Sequence, residues 1–162
     1  MQHRIRAAAL IVKKGRLLLV KHVHPESGSV FWVPPGGGVN AGQESIYDAA
    51  TREVLEETGL RVTLGRILYI REFVDMEMHL HNLELFILAD RFDGKLTIDN
   101  LRPGDLDSRY IKEVGFLSPA EMRDLNIFPH ELKAQFWMDI ESGATAKYLG
   151  QQVGDSRKLP ET

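Results

Sequence analysis

Three glutamates at helical spacing are the residues of this sequence best suited to chemistry. Glu53, Glu56 and Glu57 are three and four residues apart, so on a helix they share one face within an arc of about 100°. Each like-charged pair costs roughly 0.2–0.5 kcal/mol, and the helix dipole disfavours anions in the last turn by roughly 0.3–1 kcal/mol. A divalent cation bound by the three carboxylates would make these unfavourable electrostatic contributions favourable. Taken alone, such a motif is more often an acidic helix face exposed to solvent than a metal site. The residues around it therefore decide between these two interpretations.

The helix that carries the glutamates has clear start and stop signals. Ser45 followed by Asp48 forms a capping-box signal, and Gly59 supplies a left-handed position after the last turn. These signals predict a helix over residues 45–58. An apolar stripe runs beside the acidic arc and consists of Ile46, Tyr47, Ala50 and Val54. The glutamates therefore lie at the edge of the buried face.

A longer pattern surrounds the acidic helix: Gly-x5-Glu-x7-Arg-Glu-U-x-Glu-Glu-x-Gly-U, where U is a bulky aliphatic residue. It is matched at Gly38, Glu44, Arg52, Glu53, Val54, Glu56, Glu57, Gly59 and Leu60. This resembles the signature of the Nudix hydrolases, enzymes that cleave a nucleoside diphosphate linked to another moiety, X. Agreement at every fixed position makes the resemblance specific. In the order of elements it extends from about Arg4 to Glu141, but only the signature at residues 38–60 carries specific evidence.

The resemblance implies a metal site and a role for each signature side chain. Its metal ligands would be Glu53, Glu56 and Glu57, completed by Glu44 and a loop glycine carbonyl, with Arg52 holding a glutamate in place. Counting along the pattern assigns that carbonyl to Gly38. The chain has Asn40-Ala41-Gly42-Gln43-Glu44 where family members usually have Glu-x-Gly-Glu, so an alignment on the Gly-Glu pair implies one extra loop residue. Which glycine carbonyl faces the metal is therefore open.

The ligand types indicate the metal and the reaction. A carboxylate cluster in a chain without cysteine favours Mg²⁺, with Mn²⁺ tolerated. Phosphoanhydride cleavage needs positive charge on phosphate oxygens and a positioned water. The resemblance does not fix the general base: Glu56 is the first choice and Glu113 the second, because many members carry a glutamate just before a segment like Val-Gly-Phe-Leu. A surface carboxylate is an equal alternative for Glu113.

Substrate-binding candidates lie around the glycine loop and the strands near it. Gly36 and Gly37 let the backbone approach phosphates closely. Trp32 could stack on a base, although a core position is the commoner role of such an aromatic residue. Arg71 is a candidate for the border of the cleft, with a solvated turn as the alternative. The pair of His22 and His24 shares a strand face and could line a pocket, although we expect both rings to face solvent.

The remaining elements predict a mixed sheet between helices, and the Nudix resemblance implies an α/β/α sandwich. Strands are predicted at 6–12, 17–23, 30–33, 60–73, 79–90 and 113–117, and helices at 119–125 and 129–141. The first two strands, joined by a tight turn, should be neighbours. Residues 36–38 should form a loop that leads into the signature helix, and residues 101–110 a mobile loop.

Length, composition and net charge restrict the classes of protein to which this chain can belong. The 162 residues suit one domain, predicted over 1–142, with a polar and partly disordered tail over 143–162. No apolar run approaches the roughly 20 residues of a membrane span. The net charge of −3 gives no electrostatic footprint for duplex nucleic acid. We expect a cytoplasmic protein whose partner is a small nucleotide, and the resemblance makes a homodimer an expectation.

Two functions from different classes fit the sequence. The first is an Mg²⁺-dependent pyrophosphohydrolase acting on a nucleoside diphosphate linked to X. The second is a non-catalytic nucleotide-binding or sensing module of the same fold. An inactive member should have lost a signature carboxylate, and none is lost here. The enzyme is therefore favoured, while the identity of X is not given by the sequence.

Overall fold

A computed structural model describes residues 1–154 of the chain. Its strands are β1 (Gln2–Leu10), β2 (Val12–Lys13), β3 (Arg16–Val23), β4 (Val30–Val33), β5 (Gly36–Gly38), β6 (Leu60–Asp75), β7 (Leu80–Gly94), β8 (Ile111–Leu117) and β9 (Lys147–Gly154). Its helices are α1 (Ile46–Thr58), α2 (Leu106–Tyr110), α3 (Pro119–Met122), a 3₁₀ helix (His130–Lys133) and α4 (Gln135–Ser142). None of the helices in residues 1–154 is long and apolar enough to cross a membrane.

The strands form two sheets. The larger sheet has the order β5-β1-β7-β6-β9 and is mixed, because β1 runs parallel to β7 and β6 parallel to β9, whereas the other pairs are antiparallel. In the smaller sheet, β3 pairs with β2, β4 and β8, in each case antiparallel.

Helices cover both faces of the larger sheet. On one face, Ala50 of α1 packs in a cluster with Ala7 and Ile87. On the other, Phe136 of α4 packs in a cluster that includes Tyr69. The fold is therefore the expected α/β/α sandwich with a mixed sheet.

The predicted limits of α1 are confirmed. The Ser45 hydroxyl accepts a hydrogen bond from the Asp48 backbone N–H at 3.1 Å, and the Asp48 carboxylate accepts one from the Ser45 N–H at 3.0 Å. Gly59 ends the helix with φ of 76° and donates to the Leu55 carbonyl. Local hydrogen bonding thus fixes both ends of the helix that carries the glutamates.

The predicted neighbours at the N-terminus are separated. Of the strand predicted over residues 6–12, only Val12, which lies in β2, pairs with β3, while β1 joins the other sheet beside β7 and β5. The reason is burial: the end of β1 from Ala7 to Leu10 is buried on both faces, which is typical of a central strand rather than of a surface hairpin. The loop predicted at 36–38 is also wrong, because these residues form β5, which pairs with β1.

The C-terminal predictions need further correction. The helix expected over 129–141 is interrupted at Ala134, where φ is −140°, and the one expected over 119–125 is only the four residues of α3. The loop expected over 101–110 ends in α2. The predicted fraying after residue 143 is wrong for 147–154, which form β9, because backbone pairing at the edge of β6 does not require an apolar pattern. Residues 155–162, the end of that tail, lie outside the described residues.

Candidate active site

Three carboxylates from two elements meet at one end of the larger sheet. Glu53 and Glu57 lie one turn apart on α1 and are 6% and 2% exposed. Asp107 of α2 joins them, and one oxygen from each of the three lies within 4.8 Å of the others. No signal in the sequence points to Asp107, because it lies in a segment expected to be a loop and reaches the glutamates only through the fold.

The electrostatics of this carboxylate cluster favour a cation. Burial raises the pKa of Glu53, and burial together with the charge of Glu53 raises the pKa of Glu57 well above its usual range. Within residues 1–154, Oε2 of Glu53 is buried and has no hydrogen-bond partner. An oxygen-rich, crowded and partly unsatisfied site is what a hard divalent cation requires. The residues present therefore fit such an ion.

Arg52 connects the loop before α1 to the carboxylates on the helix. Its Nε and Nη2 donate to the two oxygens of Glu44 at 3.1 and 2.8 Å, and its Nη1 donates to Oε1 of Glu53 at 2.8 Å and to Oε2 of Glu56 at 3.3 Å. The Arg52 guanidinium lowers the pKa of Glu44 to about 2. Glu44 and Glu56 are thus held beside the cluster but are not among the three that meet within 4.8 Å.

The glycines of β5 allow this close approach. The Gly36 N–H donates to Oε2 of Glu57 at 3.1 Å. A Cβ atom on Gly37 would overlap the Glu53 carboxylate and lie 2.9 Å from its Oε2. The Gly38 carbonyl accepts from Arg52 at 3.2 Å. Each glycine therefore has a different task, and the side chain missing at residue 37 makes room for Glu53.

A cleft of about 550 Å³ lies beside the cluster and is lined by both sheets. Its lining includes all three clustered carboxylates and four arginines, which are Arg4, Arg6, Arg71 and Arg109. Aromatic rings contribute the apolar part of the lining: Phe31, Phe73, Phe86, Tyr110 and Phe128. Its volume is in the range of small-molecule sites.

Several predicted substrate contacts reach this cleft. Gly36, Gly37 and Arg71 line it. Arg71 is buried, and its Nε and Nη2 each lie 2.7 Å from Oε2 of Glu84, so its charge is already paired. The solvent-facing positions expected for His22 and His24 are wrong, because both rings line the cleft.

Two predicted site residues lie elsewhere. Trp32 is 6% exposed and belongs to the main core cluster, whereas its neighbours Phe31 and Val33 line the cleft, because side chains alternate along β4. Glu113 is exposed on β8, pairs with Lys21 at 3.3 Å and does not line the cleft. The core position weighed for Trp32 and the surface position weighed for Glu113 are therefore the ones found. Base stacking by Trp32 and general-base catalysis by Glu113 stay predictions that the lining of the cleft does not support.

Comparisons with known proteins agree with this geometry. A family model described as NUDIX domain matches residues 1–139. The oxidized purine nucleoside triphosphate hydrolase of Danio rerio is 34% identical over 155 residues, covering 94% of this chain and 91% of the relative. A crystal structure of a MutT NUDIX hydrolase from Burkholderia pseudomallei has a TM-score of 0.67 and 25% identity, covering 83% of this chain and 98% of that one. The E. coli ORF135 protein shares the fold, with a TM-score of 0.66, 21% identity and coverage of 91% and 96% of the two chains.

Nudix hydrolases act on small nucleotides and generally use divalent metal ions, which is consistent with a carboxylate cluster beside a cleft. The chain belongs to the Nudix family and is a pyrophosphohydrolase that acts on phosphorus-containing anhydrides.

Proposed function

We propose that this protein is an Mg²⁺-dependent pyrophosphohydrolase of purine nucleoside triphosphates, which are nucleoside diphosphates linked to a phosphate. Water would attack a phosphorus atom of the triphosphate and release a nucleoside monophosphate and pyrophosphate. The observation that carries this proposal is the meeting of Glu53, Glu57 and Asp107 beside a cleft lined by arginines and aromatic rings. The purine preference, with oxidised purines included, rests on the name of the Danio rerio relative.

The cluster of three carboxylates would hold the cation. When bound, Mg²⁺ neutralises charge on phosphate oxygens and lowers the pKa of a bound water, and Mn²⁺ has similar ligand preferences. Arg52 keeps Oε1 of Glu53 in place through a bond of 2.8 Å, which leaves Oε2 of Glu53 available. Glu56 is held by the same guanidinium and is more exposed than Glu53 and Glu57. It is our candidate for the group that takes the proton from the attacking water.

Phosphates would be bound by the chain around β5. Gly36 and Gly37 present backbone without side chains, so a phosphate can come close. Arg4 lines the cleft and, within residues 1–154, its side chain forms no hydrogen bond or ion pair. Its guanidinium is therefore free to bind an anionic oxygen. A cytoplasmic location and a homodimer stay predictions.

The experiment is a substrate screen with a paired metal-binding measurement. Nucleoside triphosphates, oxidised purine triphosphates, nucleotide sugars and ADP-ribose are incubated with Mg²⁺ or Mn²⁺, and released pyrophosphate or phosphate is measured. We expect pyrophosphate from purine triphosphates at the highest kcat/KM. Preference for a nucleotide sugar or for ADP-ribose would overturn the proposed substrate.

Glu57→Gln tests the metal assignment. We expect turnover to fall by at least about 10²-fold, since a fixed charge on the cation is lost. Calorimetric affinity for Mn²⁺ should also fall, whereas the melting temperature without metal should rise, because a buried repelling charge is removed. Glu141→Gln, on the exposed face of α4, is the matched control and should change none of these. Wild-type metal affinity in Glu57→Gln would contradict the assignment.

A further inference from the structure

One buried amide in the cleft has an acceptor that no donor of residues 1–154 reaches. Asn82 of β7 lines the cleft and is 6% exposed. Its Nδ2 donates to the Phe73 carbonyl at 3.5 Å, whereas its Oδ1 is buried and has no hydrogen-bond partner within residues 1–154. Buried polar atoms are nearly always hydrogen-bonded. This oxygen is therefore placed to receive a donor from a molecule in the cleft.

The orientation of the amide is fixed by its surroundings. Turning it over would place Oδ1 against the Phe73 carbonyl, where two acceptors would face each other. Nearby donors are also committed: Arg71 donates to Glu84 and to Oε1 of Gln152. Arg4, the neighbour of Asn82 on β1, lies instead beside Gly38, whose added Cβ would be 2.6 Å from its Nε. The described chain thus supplies no donor to Asn82.

A second acceptor stands in the adjacent row of the same sheet face. Phe73 pairs with Asn82 and Asp75 pairs with Leu80 across β6 and β7, so Asp75 and Asn82 are diagonal neighbours. Asp75 is buried, lines the cleft and has its Oδ1 fixed by the N–H groups of Glu77 and Met78. Its other oxygen accepts no hydrogen bond from residues 1–154. This part of the cleft therefore presents acceptors.

The smaller sheet supplies a flat aromatic surface to the same cleft. The ring of Phe31 stacks on His22, with centroids 5.0 Å apart and planes 15° apart, and Phe128 meets Phe31 edge-on. Burial lowers the pKa of His22 to about 4, so its imidazole is neutral at physiological pH. Neutral aromatic faces are suited to stacking on nucleobases.

We propose that Asn82 is a specificity-determining residue whose Oδ1 accepts a hydrogen bond from an exocyclic amino group of the purine base. The base would stack on the Phe31 surface while its donor edge meets Asn82 and Asp75. This inference rests on the proposed function. It predicts that the enzyme distinguishes a purine with an amino group from the same purine without one, because the unmatched ligand leaves a buried acceptor unsatisfied.

Matched substrate pairs provide the test. GTP is compared with inosine triphosphate, which lacks the 2-amino group, and ATP with purine riboside triphosphate, which lacks the 6-amino group. In the wild type, kcat/KM should favour the amino-bearing member of at least one pair by about tenfold or more. Asn82→Leu should reduce that ratio to about one, whereas Asn82→Asp, which retains an acceptor, should preserve the preference.

Controls separate this assignment from loss of fold and from the proposed function. Gln151→Leu removes an amide on β9 that bonds to Glu72 and does not line the cleft, and it should leave the ratio unchanged. Calorimetric affinities for the monophosphate products without metal should show the same pattern. If the wild type hydrolyses no nucleoside triphosphate, the proposed function fails, and this inference with it. If it hydrolyses them without discrimination, or Asn82→Leu keeps the full preference, only this inference is overturned.

Discussion

Replacing Gly37 by alanine tests whether the closeness of β5 to α1 sets the geometry of the active site. The new Cβ would overlap the Glu53 carboxylate. Of the three atoms of that group, Oε2 is the farthest from the Cβ at 2.9 Å, and the other two lie closer still. Ordinary contacts are longer than about 3.4 Å, so the carboxylate would have to move by about 1 Å. A misplacement of about 1 Å can cost about 10²-fold in rate. We therefore expect kcat/KM with Mg²⁺ to fall by about 10²-fold in Gly37→Ala.

Two further glycines provide graded controls. At Gly38 the nearest atom to an added Cβ is Nε of Arg4, at 2.6 Å. This is the end of a flexible side chain, so Gly38→Ala should cost less. At Gly115 an added Cβ meets nothing within 4 Å, so Gly115→Ala should leave turnover unchanged. Steady-state kinetics and melting temperatures would be measured for all three. Equal activity in Gly37→Ala and Gly115→Ala, both folded, would refute the reasoning.

Two other predictions concern paired charges. Arg52→Lys keeps the charge but loses the fork that reaches Glu44 and Glu53, so kcat/KM should fall by about tenfold or more; full activity in a kinetic assay would count against that geometry. Tyr69→Phe removes a buried 2.6 Å hydrogen bond to Asp139 and should cost about 1.5–3 kcal/mol in urea unfolding at pH 7. Burial alone would raise the pKa of Asp139, but hydrogen bonds, that of Tyr69 first, outweigh it and lower the pKa. The Asp139 carboxylate thus stabilises the folded protein at pH values above its pKa in the unfolded chain, and this contribution is lost as the pH falls through its pKa in the folded protein. The loss of stability caused by Tyr69→Phe should therefore be smaller at pH 3 than at pH 7. An equal loss at both pH values would show that the charge of Asp139 does not matter.

Local signals in the sequence were enough for α1 but not for the surfaces around it. Ser45, Asp48 and Gly59 act within a few residues of one another, so their effect can be predicted without knowing the fold. For Trp32 the strand is predicted correctly, but its four residues do not show which face of the strand lies in the core and which meets the cleft. Neighbouring side chains on a strand point to opposite faces of the sheet, so Phe31 lines the cleft while Trp32 lies in the core.

Contacts between distant segments could not be predicted at all. Asp107 meets Glu53 only because α2 is placed beside α1 by the fold. The unused oxygen of Asn82 likewise depends on which donors surround it across three strands. A single sequence shows the residue types but not such neighbours. The carboxylate half of the site was therefore partly predictable, whereas the half proposed to contact the base was not.

The position of β9 has a consequence for how the site responds to local opening. Among residues 1–154, this strand lies at the edge of its sheet beside β6 alone, and it contains no fully buried residue. It is therefore held chiefly by backbone hydrogen bonds. Such segments open locally at low free energy. Gln152 and Gly154 nevertheless line the cleft. Detachment of β9 would remodel the cleft while the carboxylates of α1 stay buried. If the proposed function is correct, choice of substrate and retention of metal would thus depend on parts of the fold with different local stability.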